Sequence, residues 1–141
     1  MAVTGRSMRP MIRSGEIVTV RKTAVFLLRK GDLILFKTHQ HSLRLHRIIN
    51  IARNPDGKLR IQTKGDSVSY CDAPIGESQV MGKAIWIEKK YSCCGIHAIN
   101  TERTVWKMVN FCIARIPDIR NSVFAPFIRP CYRGIKFILS R

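Results

Sequence analysis

Residues 43–63 read LRLHRIINIARNPDGKLRIQT, two apolar, β-branched runs on either side of Asn54-Pro55-Asp56-Gly57. Proline presets φ at the first corner and glycine accepts φ > 0, so these four residues form the kind of turn that joins antiparallel strands. Leu45 to Ile51 and Leu59 to Thr63 are therefore expected to pair as a hairpin. Working outward, runs of strand length recur between Gly, Asp, Asn and Pro punctuation at Ile17–Arg21, Asp32–Lys37, Leu43–Ala52, Lys58–Thr63 and Gln79–Glu88. The first two-thirds of the chain is expected to be mainly β and antiparallel.

After Lys90 the texture changes. Thr101 to Ile116 carries Val105, Met108, Val109, Cys112 and Ile116 at helical spacing, which predicts a helix buried on that stripe, with Thr101 as its cap. Beyond it the chain mixes aromatic and aliphatic residues with cations and is broken by Pro126 and Pro130. From Thr101 to Arg141 eight Lys/Arg face two acids, a local charge of +6. Such a tail either packs on the sheet as a cover or lies on an anionic membrane interface. Nucleic acid is the less favoured partner, because no motif of nucleic-acid recognition is present.

The chain has 141 residues, enough for one domain of ordinary size. Its 25 Lys+Arg against 9 Asp+Glu give a net charge of +16, which attracts nucleic acid, anionic lipid or acidic protein without choosing among them. No apolar run of signal-peptide length or of spanning length occurs. The five cysteines, an odd number with no CxxC pair, fit free thiols in a reducing compartment. Cys93, Cys94 and His97 are set aside as a zinc site, because adjacent cysteines chelate one ion poorly. No metal or other cofactor is expected.

One short stretch remains, Gly5-Arg6-Ser7-Met8-Arg9-Pro10-Met11-Ile12. Ser7 is either a turn residue or a nucleophile, and a nucleophilic serine needs a base and a group to orient that base. His39 and His41 stand in a polar loop, whereas His46 interrupts an apolar strand. Asp66 and Asp72 fall in one turn-rich stretch, Thr63 to Asp72, where caps and Asx-turns are the ordinary explanation. Taken singly, none of these residues decides between a structural and a catalytic role.

Together they carry a resemblance. GRSMRPMIRSGEIVTV, KGDLILFK, LRLHRIINI, IQTKGDSVSYCDAPI and VMGKAIWI follow one another in the order seen in the signal peptidase I superfamily of S24/S26-type serine peptidases, which includes the LexA-type self-cleaving proteins. The match runs from about Gly5 to Ile87. It implies an antiparallel β domain with the nucleophile at the Ser-Met step. Most bacterial signal peptidases use a lysine as base. The histidine in that slot, followed by Arg47, resembles the endoplasmic-reticulum and archaeal-like branch that uses Ser, His and Asp.

The resemblance implies Ser7 as nucleophile and His46 as general base, then acid. For the orienting carboxylate it offers Asp72 and Asp66, with Asp72 favoured at the imidazole and Asp66 as a buttress of the loop. Ser7, Met8 and Gly5 form the oxyanion and substrate-binding stretch, with the Ser7 N–H as first donor. Three features depart from the family. Gly5 stands where signal peptidases commonly have a serine, only Met1 to Thr4 precede it in place of a membrane anchor, and the C-terminal tail matches no family motif.

The expectation is a signal-peptidase-like catalytic β domain over residues 1–90, followed by a basic helical tail over 91–141 that packs on the domain or on a membrane surface. Its activity would be cleavage of an extended precursor peptide after small residues, by a protein that is cytoplasmic or peripheral on the membrane. The alternative is an inactive binding module with a cationic surface for anionic lipid or nucleic acid. A LexA-like regulator is disfavoured, because four residues before Gly5 cannot hold a helix-turn-helix.

Overall fold

The computed structural model describes residues 1–90 and 98–115. The Cys93, Cys94 and His97 cluster and the tail beyond Arg115 lie outside the described residues. The chain forms strands β1 (Ile17–Arg21), β2 (Leu33–Lys37), β3 (Leu43–Arg53), β4 (Leu59–Lys64), β5 (Val80–Glu88) and β6 (Ala98–Asn100), then helix α1 (Thr104–Ile113). All pairings are antiparallel, in the order β1-β5-β2-β3-β4, and β6 pairs with β5 beyond the reach of β2. This is the mainly β architecture that the sequence patterning and the resemblance predict, with one short helix.

The alternation along β2 sets the layers. Leu33 and Leu35 join a cluster with Met8, Ile12, Ile87 and Trp106. Ile34 and Phe36 point the other way, into a cluster with Leu28, Ile48, Ile61 and Ile75. A strand buried on both faces reads as a continuous apolar run, and Leu33 to Phe36 does. The β3–β4 hairpin turns at Asn54 to Gly57, where Gly57 takes φ +76° and the Asn54 N–H donates to the Lys58 carbonyl.

Register decides where an edge is left open. β2 pairs with β3 from Arg47 to Leu43, but β4 reaches β3 only from Arg53 to Arg47. Residues Leu43 to His46 therefore have a strand neighbour on one side only among the described residues.

The helix differs from its sequence expectation at both the cap and the face. Thr101 is buried and does not cap it: its Oγ1 donates to the Ala84 carbonyl at 2.7 Å and its N–H to the Ile85 carbonyl at 3.0 Å. The β1–β5 register slips between Thr19 and Val20, and the two carbonyls that Thr101 bonds lie beside that slip. Arg103 precedes the helix instead, with no side-chain cap. The inward face is Trp106, Asn110 and Ile113, while Met108 is 65% exposed and Cys112 is exposed. Val109 of the predicted stripe packs against the core, and the centre of the inward face lies one residue on, where Trp106 is buried and Asn110 bonds Arg47. Lys83 Nζ, 2.8 Å from both Asp32 and Glu102, ties β5 to the entry of β2 and to the turn before α1.

Candidate active site

Ser7 sits in a turn whose neighbours anchor it. Met8, Met11 and Ile12 are buried at 3%, 1% and 1% exposure, and the Ile12 N–H donates to the Met8 carbonyl at 2.8 Å. The segments flanking the turn are stitched to each other just ahead of β1: Val3 N–H donates to the Glu16 carbonyl and Gly15 N–H to the Val3 carbonyl. Buried Glu16 accepts from the Arg13 N–H and from Lys89 Nζ through one carboxylate oxygen, and Lys89 also donates to the Met11 carbonyl. A serine held by so many flanking contacts has little freedom of position.

On the open stretch of β3, His46 Nε2 lies 3.0 Å from Ser7 Oγ. Its other ring nitrogen, Nδ1, lies 2.6 Å from Asp72 Oδ2. A carboxylate can only accept, so Nδ1 carries the proton and Nε2 is left to accept from the serine hydroxyl. Thr63 Oγ1 donates to the same Asp72 oxygen at 2.8 Å, and Arg44 Nη1 donates to Oδ1 at 2.9 Å. The Asp72 N–H donates to the Thr63 carbonyl, which fixes the residue to the end of β4. Burial opposes the charge on Asp72. The hydrogen bond and charge of His46, with the bonds from Thr63 and Arg44, outweigh it and hold the carboxyl below the usual carboxylate range.

Asp66 is placed elsewhere. Its carboxylate takes a two-pronged ion pair from Arg47, with Nε–Oδ1 and Nη2–Oδ2 both at 2.7 Å, and it makes no bond to His46. Arg47 is 1% exposed and also donates to the Gly31 carbonyl, to Asn110 Oδ1 at 2.8 Å and to Met11 Sδ. One guanidinium thus joins β3, the Ser7 turn and helix α1. Asp66 in turn fixes the loop that touches the serine: the Ser67 N–H donates to the Ser7 carbonyl at 2.8 Å and Ser67 Oγ to the Arg6 carbonyl at 2.7 Å. Gly65 lies so close that a Cβ there would stand 2.8 Å from the Ser7 carbonyl oxygen and 2.9 Å from Ser7 Cβ. A cleft of about 200 Å³ opens beside Ser7 and His46. Gly5 and Met8 line it, together with Leu43, Leu45, Val68 and Tyr70.

Three side chains from separate parts of the chain thus meet where a strand edge that is unpaired among the described residues borders a cleft of mixed polar and apolar lining. The Peptidase S24-like family profile matches residues 1–85. This chain belongs to the Peptidase S24-like family. Signal peptidase I W of Bacillus subtilis (strain 168) is 35% identical over 81 residues, which cover 56% of this chain and 42% of that protein. The chain thus spans less than half the length of the curated relative it matches. No solved structure gives a significant match.

Around the Peptidase S24-like site, several contributors carry no sequence signal of their own. Thr63 and Gly65 sit in the turn-rich stretch without a distinguishing pattern. Asn110 is one polar residue in a helix, and only the fold brings it to its partner, Arg47. Arg44 was accessible to inference, because residues two apart on a strand share a face and Arg44 is two before His46. Among the described residues no cluster of metal-ligating side chains occurs, and no helix is long and apolar enough to cross a membrane.

Proposed function

We propose that this Peptidase S24-like chain is a serine endopeptidase in which Ser7 is the nucleophile, His46 the general base and Asp72 the orienting carboxylate. The observation that carries this reading is the continuous line from Ser7 Oγ to Nε2 at 3.0 Å and from Nδ1 to Asp72 at 2.6 Å. An unassisted serine hydroxyl is a poor nucleophile, and this arrangement supplies what it lacks. As Ser7 Oγ bonds to the scissile carbonyl carbon, its proton passes to His46 Nε2. The carbonyl oxygen takes the negative charge, and the Ser7 N–H is the proposed donor to it. Collapse of the tetrahedral intermediate breaks the C–N bond, and the amine leaves with the proton from His46. Water, activated by the same nitrogen, then releases the acyl group.

The substrate is an extended precursor peptide. The open edge of β3 offers main-chain groups from Leu43 to Leu45 for such a segment to pair with, and the resemblance to signal peptidases supports small side chains just before the cut. Asp66 and Gly65 act on the serine turn and not on the imidazole.

The test is digestion of a peptide library read by mass spectrometry, comparing wild type with Ser7→Ala and His46→Ala. Wild type alone should cut, after small residues, and each variant should lose about 10³-fold or more of the rate. Equal cutting by wild type and Ser7→Ala, or no cutting by wild type with and without lipid vesicles, overturns the proposal.

A further inference from the structure

Arg44 has one guanidinium nitrogen on Asp72, yet its side chain is 44% exposed. It lines the cleft, and among the described residues that line it the only other titratable side chains are His46 and the phenol of Tyr70. Asp72, by contrast, is 9% exposed and does not line the cleft. Its other oxygen is already taken by His46 and Thr63, so the contact with Arg44 stays single-pronged. A guanidinium has five N–H donors in a planar fork suited to a carboxylate, and the bond to Asp72 uses one nitrogen.

We infer that Arg44 is a specificity-determining residue that selects peptides with an Asp or Glu side chain close to the scissile bond. The inference rests on the peptidase reading above and names its substrate class more narrowly. A peptide added along Leu43 to Leu45 brings one of its residues opposite Arg44, where directly paired residues have Cβ atoms about 5 Å apart and opposite charges attract. His46 is two residues further along the same strand, so the selected position lies within a residue or two of the bond that is cut. Attraction by the net charge of +16 brings anionic peptides to the surface without regard to position. Arg44 adds the positional preference.

The test uses fluorescein-labelled Ala-rich peptides in matched pairs, with a single Glu or a Gln moved along the sequence. They are titrated at fixed salt into the full chain carrying Ser7→Ala. Glu should bind about tenfold more tightly than Gln at one or two adjacent positions, as expected of one charge-assisted contact. The preference should vanish with Arg44→Gln added and persist with Arg44→Lys added. Gln and Lys both keep a donor for Asp72, and melting curves identify any variant that fails to fold. A preference that survives Arg44→Gln, or no position at which Glu and Gln differ, overturns the inference. Wild type digestion of the same peptides separates the two readings. Cutting without a Glu preference defeats the role of Arg44 alone, whereas an Arg44-dependent preference without cutting defeats the peptidase reading and leaves acidic-peptide recognition standing.

Discussion

Asp72 accepts side-chain hydrogen bonds from His46, Thr63 and Arg44 on its two oxygens, so its ionised form is favoured by the fold. The sign of the pH effect follows. A carboxyl held below its usual range when folded contributes stability that is present above the unfolded pKa and is lost as pH falls through the folded one. Asp72→Asn should therefore cost about 1–3 kcal/mol at pH 7, and the gap from wild type should close below about pH 4. Chemical denaturation of both proteins between pH 7 and pH 2.5 checks this. A gap that widens toward acid would mean that burial, which opposes the charge, outweighs the three donors.

The loop from Gly65 to Ser67 links the buried Arg47–Asp66 pair to the serine, so small changes there act on position. Gly65→Ala places a methyl against the Ser7 backbone, and a displacement of about 1 Å at the proposed nucleophile costs on the order of 10²-fold in rate. The expected result is a folded protein whose cleavage rate drops by about that factor, read by circular dichroism and peptide digestion together. Retention of the wild-type rate would show that the turn can yield. The elements themselves were largely legible, because β1 to β5 each announce themselves by apolar runs between turn residues. Only β6, three residues long, gives too little pattern to read. The rotation of α1 was hidden for a physical reason: Asn110 seeks the Arg47 guanidinium, and Gly31 lets the helix backbone approach to where a Cβ would stand 2.9 Å from Asn110 C. An apolar-stripe argument cannot weigh that contact. Asp72 and Asp66 could not be separated by spacing either, since both lie in one turn-rich stretch and only the fold shows which faces the imidazole and which faces Arg47.

Across the whole molecule, charge is partitioned unevenly. Glu16, Asp32, Asp66 and Asp72 are buried and paired with cations or imidazole, and Arg47 and Lys83, which answer two of them, are buried as well. These pairs leave the net charge of +16 uncompensated, and self-repulsion opposes the compact state. Raising salt from about 50 to 500 mM shortens the Debye length from above to below 10 Å and should raise the thermal midpoint by a few degrees. Differential scanning calorimetry at the two salt concentrations checks it, and a falling midpoint would mean that salt weakens attractive pairs more than it relieves repulsion. The order of the site along the chain carries a different consequence, one of timing. Ser7 is synthesised first, His46 follows 39 residues later and Asp72 another 26 after that. Arg47 then waits 63 residues for Asn110. On the proposed roles, a nascent chain exposes its serine before His46 and Asp72 emerge, and a ribosome-bound fragment ending short of α1 holds Ser7, His46 and Asp72 without the Arg47–Asn110 brace. In the proposed peptidase the three side chains can meet only after Asp72 has emerged, and the brace from Arg47 to Asn110 forms later still.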